Sequence, residues 1–191
     1  MPRSIFTIGA LPGVSIEGAY IHPENIEKVK KLIAAMPEIE TKAYQKACIN
    51  FGKMLAKYVR RCIMFNTPPE GVSWPPHSPD YLRKYNVQGF WYLSGQMLRS
   101  IKLRQYQGGY YVGPNPGEKA VDPVNIYGRS RKSKLTLVQL ARILEGGFNI
   151  KGGGDLEARP LFRPSFKAVG GTERLKKYLI ANLRREVKKY L

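Results

Sequence analysis

Few residues of this chain have side chains suited to catalysis. The only histidines are His22 and His77, and His77 follows Trp74 in a proline-rich loop. An imidazole in such a loop can act as a general base. However, the chain has no Gly-x-Ser-x-Gly motif and no His-Glu-x-x-His motif that would supply the other catalytic groups. A lone histidine in a proline loop is more often structural or solvated, so we do not expect an enzyme.

Metal and cofactor sites are not predicted either. Cys48 and Cys62 are the only cysteines and fall in one helical pattern, about 21 Å apart along the axis, which is too far for a disulfide. The 14 carboxylates do not cluster with histidine at metal-ligand spacing. Gly152-Gly153-Gly154 lacks the Gly-Lys-Ser/Thr ending of a phosphate-binding loop. We therefore expect no metal and no cofactor.

Net charge is the strongest compositional signal. The 32 lysines and arginines outnumber the 14 acidic residues, which gives a net charge of +18. Such an excess favours a polyanionic partner, either nucleic acid, an anionic membrane or an acidic protein surface. Besides the C-terminal helix, the candidate contact residues are Arg129, Arg131, Lys132 and Lys134 in a loop and Lys102 and Arg104 on a strand. The alternative interpretation is that these residues form solvated faces or subunit contacts.

Nucleic-acid binding, if present, is expected to be non-specific. The sequence has no helix-turn-helix, zinc-finger or RNA-recognition signature. No apolar run approaches the ~20 residues of a membrane span, and the first residues lack the apolar core of a signal peptide. We expect a protein that is made and used in a cytoplasm, or assembled there into something larger, without membrane contact.

Helical periodicity dominates both ends of the chain. Residues 1–22 are predicted to be an extended arm, and residues 23–191 a single domain. Pro23-Glu24 is a good helix start, and Pro37 is predicted to end or kink that helix. A long one-sided helix follows, from Glu38 to about Met64, with the apolar stripe Ile39, Ala43, Ala47, Phe51, Leu55, Val59, Cys62 and Ile63. A last helix is predicted from Thr172 to about Tyr190.

The middle of the chain has strand and turn signals. Prolines make the loop around Trp74 rigid, so Trp74 is predicted to be a packing anchor for this loop, or otherwise an exposed partner contact. Ser94 is predicted to cap a short helix with Gly95 just inside it. Strand-like runs around Gly108-Gly109 predict a β-hairpin. Residues 114–134 are predicted to be a long loop.

A capping box and several extended segments follow. Thr136 and Gln139 predict the start of a helix that ends at Gly146-Gly147. Residues 148–151 are strand-like. Residues 158–166 are predicted to begin extended, because residues that precede proline avoid helix.

Five motifs in order resemble a known family. They are Trp74-Pro75-Pro76-His77-Ser78, Leu93-Ser94-Gly95-Gln96-Met97-Leu98-Arg99-Ser100-Ile101, Tyr111-Val112-Gly113, Ala141-Arg142-Ile143-Leu144-Glu145-Gly146-Gly147 and Ala158-Arg159-Pro160-Leu161-Phe162-Arg163-Pro164. Over roughly residues 38–190 the chain resembles the tail-completion and neck proteins of tailed bacteriophages, also called phage virion morphogenesis or tail-component proteins. Pro76-His77 stands where that family has Pro-Leu, and Ser94 stands where it has Thr.

The resemblance implies a fold and a role. The fold would be α+β, a small antiparallel sheet flanked by the long N-terminal helix and the C-terminal helix, with extended arms. The role would be that of a structural virion protein in a homo-oligomeric ring, a hexamer or dodecamer, at the head–tail connection (neck, tail-completion or tail-terminator ring). Its partners would be neighbouring connector and tail-tube proteins and, through non-specific contact, packaged DNA. The alternative is a free, non-specific nucleic-acid-binding accessory protein.

Overall fold

The computed structural model describes residues 23–76, 79, 82–83, 91, 95–106, 108–121, 132–150 and 154–190. The predicted arm at 1–22 lies outside this part. In chain order the elements are α1 (Pro23–Met64), α2 (Gln96–Ser100), β1 (Lys102–Tyr106), β2 (Gly109–Gly113), β3 (Lys119–Val121), β4 (Lys132–Thr136), α3 (Leu137–Gly146), β5 (Phe148–Ile150), β6 (Gly154–Leu156), α4 (Phe162–Ala168) and α5 (Gly171–Val187). The predicted α+β class is confirmed, with the long helix first and helices at the C-terminal end.

Helix α1 is one continuous helix of 42 residues, so the prediction that Pro37 ends its first part is wrong. A proline inside a helix removes one backbone hydrogen bond, to the residue four positions earlier. Here both Pro37 and Ile33 are exposed, so water can satisfy the carbonyl that the missing N–H leaves free. The Pro37 carbonyl also accepts a hydrogen bond from Thr41 Oγ1 at 2.9 Å. The helical pattern on both sides therefore outweighs the proline.

The predicted apolar stripe of α1 is the core face of the helix. Ile39, Ala43, Ala47, Phe51, Val59, Cys62 and Ile63 are buried, and Leu55 is partly buried against the same core. Helix α5 packs antiparallel along this face, because Lys46 contacts Glu186 while Met54 contacts Tyr178. From α4, Phe166 lies edge-on to Phe51 with ring centroids 5.4 Å apart.

The strands form three antiparallel pairs within the described residues, β1–β2, β3–β4 and β5–β6. The hairpin predicted around Gly108-Gly109 is confirmed, with Lys102 opposite Gly113 and Tyr106 opposite Gly109. Its strands lie against α1 at Gly52. A side chain added to Gly52 would place its Cβ 2.4 Å from Leu103 Cδ1, so this glycine lets the hairpin approach the helix closely.

Residues 114–134 differ from the predicted loop. A strand lies at each end of the segment, and β3 pairs with β4 with an irregular register. Residues 122–131 lie outside the described part of the chain. The two strands are short and distant in sequence, so no local sequence pattern predicts that they pair. The backbone N–H of Leu137 also donates to the Glu118 carbonyl at 2.8 Å, which fastens the start of α3 to this pair.

The helix that follows confirms the predicted capping box. Thr136 Oγ1 accepts from the Gln139 N–H at 3.2 Å, and Gln139 Oε1 accepts from the Thr136 N–H at 2.8 Å. Gly147 at the C-terminal end has a φ of 74°. The extended stretch predicted from residue 158 ends at Leu161, where α4 begins with Pro164 in its first turn. Proline is tolerated there because N–H groups of the first turn have no partner within the helix.

The central core joins α1, α2, β2, β3, α3 and the start of α4. Its fully buried large side chains include Trp91, Met97, Ile101, Leu137 and Leu161, which pack with the C-terminal half of the α1 stripe. Among the helices in the described part of the chain, none combines the length and apolarity needed to cross a membrane.

Candidate interaction surfaces

Three of the five segments that carry the family resemblance meet at one place, which we call the motif junction (residues 74, 144–145 and 159–163). Trp74 Nε1 donates to the Pro160 carbonyl at 3.0 Å. The backbone N–H of Arg159 donates to the Leu144 carbonyl at 2.7 Å. Trp74 is half-buried and packs against the central core. The proline loop is thereby attached to the segment that precedes α4.

Glu145 is the centre of the motif junction. Its carboxylate accepts three backbone N–H groups at the start of α4, from Leu161 at 2.7 Å, Phe162 at 3.0 Å and Arg163 at 3.1 Å. The carboxylate thus acts as an N-terminal cap supplied by a different helix. The sequence analysis placed Glu145 in the fourth motif but gave it no role. Its position was a signal that could have been used. A carboxylate in the last turn of a helix interacts unfavourably with the helix dipole, which suggests that hydrogen-bond donors from another segment stabilise it.

Trp91 is the second residue that sequence reasoning missed. It is 1% exposed, and its ring lies edge-on to Phe162 with centroids 5.7 Å apart. Trp91 therefore joins the core to the first residue of α4, next to the Glu145 cap. Its only sequence signal was its size and aromaticity, which also apply to the half-buried Trp74.

The turn at residues 94–95 differs from the prediction in detail. Gly95, not Ser94, is the N-cap of α2, with a φ of 74° in the left-handed region. Ser94 lies outside the described residues. The residue that fastens this turn is Gln96, whose amide Nε2 donates to the Lys119 carbonyl at 2.8 Å while its Oε1 accepts from the Val121 N–H at 2.9 Å. The turn is thereby attached to β3.

A small open cleft of about 240 Å³ lies beside the motif junction, between β2 and α3. Its walls are mainly apolar, with Val112, Val138 and Phe162, and include Tyr111 and Arg142. Burial raises the pKa of Tyr111, which opposes its ionisation, while the nearby Arg104 and Arg142 act in the other direction. The cleft has room for one or two aliphatic side chains, and its lining, which also includes Glu145, contains no serine, threonine, cysteine, lysine or histidine.

The other candidate residues for catalysis or metal binding are the histidines and the cysteines. In the described part of the chain, no group of three or more His, Cys, Asp or Glu could hold a metal ion. His77 lies outside the described residues. Both cysteines are free thiols, and burial raises the pKa of Cys62, which disfavours the reactive thiolate.

The basic residues predicted as contacts are not equivalent. Arg104 is engaged by two backbone carbonyls, because its guanidinium donates to Gly113 O of the hairpin at 2.8 Å and to Ser100 O at the end of α2 at 3.0 Å. Lys102, on the same strand, is exposed. Arg129 and Arg131 lie outside the described residues. Lys132 and Lys134 are on β4, where Lys134 is exposed.

Ion pairs on the α1–α5 surface involve few of the basic residues. Glu186 is buried and contacts Lys189 and Lys46 at 2.5 Å each. The hydrogen bonds from these ammonium groups lower the pKa of Glu186 from its ordinary value of 4.5 to about 2. Glu173 pairs with Lys176 at 3.0 Å on the exposed side of α5.

Glu186 gives a pH-dependent prediction. A carboxyl whose pKa is lower in the folded protein stabilises it above its unfolded pKa, and loses this effect as the pH falls through its folded pKa. Glu186→Gln should therefore lower the Tm near neutral pH. The difference from wild type should shrink as the pH falls from 4.5 towards 2. Thermal unfolding across that range measures this, with Glu173→Gln as the exposed control. A Tm difference that is constant with pH would contradict the assigned role of Glu186.

Comparison of the chain with protein-family models, with curated proteins and with solved structures found no match.

Proposed function

We propose that this protein is a structural virion protein of a tailed bacteriophage, a subunit of a closed ring, hexameric or dodecameric, at the head–tail connection. Two features support the proposal. Three of the five ordered motifs belong to one packed unit, since Trp74, Glu145 and the segment before α4 are linked directly by hydrogen bonds. In addition, the first part of α1 has an apolar face that the rest of the described chain does not cover, and this observation carries the proposal.

That part of the helix is the α1 projection, residues 24–38. Ile39 is the first buried residue of α1, and none of the residues described at side-chain level before it is buried. Ile26, Val29 and Ile33 are 44%, 50% and 65% exposed. Their spacing of three and four residues places them on one face of the helix. An apolar stripe of this kind at the surface is typical of an interaction site.

The occupant that we assign to this face is a second copy of the chain, at the cleft between β2 and α3. The cleft is apolar and of a size for aliphatic side chains such as Ile33 and Val29. The projection cannot reach the cleft of its own molecule. Leu103 of the hairpin lies against Gly52, and Ile33 is 19 residues, or about 28 Å, from Gly52 along a continuous helix. Contact between two different patches on identical subunits is head-to-tail, and such contacts generate rings when the rotation closes.

Assembly is tested by sedimentation velocity and negative-stain electron microscopy of the purified protein. Wild type should form closed rings. Val29→Glu/Ile33→Glu should be monomeric with an unchanged Tm, because both positions are exposed, and Val138→Glu in the cleft should also block assembly. Ala34→Glu is the matched control. It adds one negative charge, half that of the double variant and the same as Val138→Glu, at an exposed neighbouring residue about 100° round the helix, and should leave rings intact.

Two outcomes would count against the proposal. A wild-type protein that remains monomeric, even with portal or tail-tube partners, would overturn the ring. Rings that survive Val29→Glu/Ile33→Glu would overturn the α1 projection as the contact while leaving the ring itself in place.

The second candidate function is a free accessory protein that binds nucleic acid non-specifically. The observation in its favour is the excess of exposed lysine and arginine over acidic residues on α5. The sedimentation experiment separates the two candidates, because the accessory protein would bind duplex DNA without forming rings.

A further inference from the structure

One exposed side of α5 carries a row of positive charges. Arg174, Lys177, Arg184 and Lys188 are all exposed. Spacings of three, seven and four residues place them along the same side of a helix. The helical hydrogen bonding continues to the last of them, since the Lys188 N–H donates to the Arg184 carbonyl at 3.2 Å. We call these four residues the α5 ridge.

The charge of the α5 ridge is not neutralised by ion pairs. The two carboxylates of α5 are engaged by other residues, Glu173 by Lys176 and Glu186 by Lys46 and Lys189. In the part of the chain that the structure describes, no ion pair joins a carboxylate to the ridge. The ridge therefore presents four uncompensated cations over 14 residues, or about 21 Å of helix axis.

We propose that the α5 ridge binds the sugar-phosphate backbone of duplex DNA. A DNA strand carries one phosphate per ~3.4 Å of axis, so a straight row of about 21 Å faces roughly six phosphates. Ala181 lies at the centre of the ridge, and the aromatic residues near it, Tyr178 and Tyr190, are half-buried. The ridge thus offers phosphate contacts without groups for base stacking, which gives binding without sequence preference.

Duplex DNA fits the ridge better than a membrane surface does. Helices that bind membranes place large apolar residues opposite or beside their cations for insertion into the lipid. Among its described residues, α5 exposes one such side chain, Ile180. Leu183 and Val187, which line a shallow cleft with Arg184 and Lys188, are half-buried, so the row provides charge attraction with less exposed apolar area than such helices use.

DNA binding by the α5 ridge does not depend on ring assembly. Assembly is decided by sedimentation of the free protein, and the ridge by titration with DNA. If the protein forms a ring that does not bind DNA, only the DNA-binding proposal fails. If it is a monomer that binds DNA, only the ring proposal fails.

The test is the salt dependence of binding to a fluorescently labelled duplex of arbitrary sequence, measured by anisotropy between about 50 and 200 mM salt. The ridge variant is Lys177→Gln/Arg184→Gln/Lys188→Gln. The matched control is Lys30→Gln/Lys42→Gln/Lys176→Gln, which removes the same net charge from three exposed lysines that are paired with Glu27, Glu38 and Glu173. Circular dichroism checks that both variants are folded.

The expected result is a change in the slope of log affinity against log salt. Each phosphate contact contributes about 0.9 to this slope, so the ridge variant should lose about 2.7 and bind on the order of a thousandfold more weakly at 50 mM salt. The control should keep the wild-type slope to within about 1. Ala181→Lys, which fills the gap in the ridge, should steepen the slope by about 0.9.

Equal losses in the ridge variant and the control would overturn the proposal, since total charge would then explain the binding. An unchanged slope in the ridge variant would also overturn it, and would leave an acidic protein surface as the partner of α5.

Discussion

Replacing Trp91 with alanine is expected to lower the free energy of unfolding by about 3–5 kcal/mol, the largest effect of any single substitution considered for this chain. The side chain is 1% exposed, and the residues around it in the core come from α1, α2, α3 and the segment that leads into α4. Truncation would remove its contact with Phe162 and leave a cavity where these elements meet. Urea denaturation followed by circular dichroism measures the loss.

Trp91→Phe is the control for the apolar part of this effect. The Trp91 Nε1 atom is buried without a hydrogen-bond partner among the described residues, so removal of the N–H breaks no such bond. Phenylalanine keeps most of the ring and should cost about 1–1.5 kcal/mol. If the phenylalanine variant is as unstable as the alanine variant, the importance of Trp91 lies in its N–H and not in packing.

Glu145→Ala is expected to lower the free energy of unfolding by about 2–3 kcal/mol, as hydrogen bonds to a charged acceptor and helix caps together predict. The substitution leaves three N–H groups at the start of α4 without their acceptor. Those groups lie beside Leu161, which is fully buried, so water replaces the carboxylate poorly. Chemical denaturation measures the change, with amide hydrogen exchange at residues 161–163 as a local readout.

Two variants calibrate the Glu145 prediction. Glu145→Gln keeps one carbonyl oxygen and should lose about half as much stability. Glu157→Ala removes an exposed carboxylate near the same segment and should change stability by less than about 0.5 kcal/mol. A Glu145→Ala variant as stable as Glu157→Ala would show that the motif junction does not depend on this cap.

Elements with a local signal were predictable from the sequence. The α1 stripe, the hairpin at Gly108-Gly109 and the capping box at Thr136 each depend on residues within a few positions of one another. The continuation of α1 across Pro37 was not predictable in the same way. A proline favours the end of a helix, whereas the apolar periodicity on both sides of it favours a continuous helix. Pairing of β3 with β4 depends on contacts between distant segments, which no short pattern encodes.

The candidate sites also divide into features with a local sequence pattern and features that depend on distant segments. The alternation at Lys102 and Arg104 correctly indicated a strand with basic residues, but not that Arg104 would be engaged by the Gly113 and Ser100 carbonyls. The roles of Glu145 and Gln96 follow from backbone groups 16 to 25 residues away in sequence. Such side-chain-to-backbone bonds become visible only once the fold brings the segments together.

The unbroken course of α1 has a mechanical consequence. At 1.5 Å per residue its 42 residues make a stiff rod of about 63 Å. A tilt of roughly 5° at one end of such a helix displaces the other end by about 5 Å, so small changes in angle at the packed part move the exposed end by several ångströms. Pro37, which lacks one hydrogen bond, lies where the free part of the rod meets the packed part. The helix is therefore expected to bend most easily at this position, which in the proposed ring would take up small differences in angle between subunits.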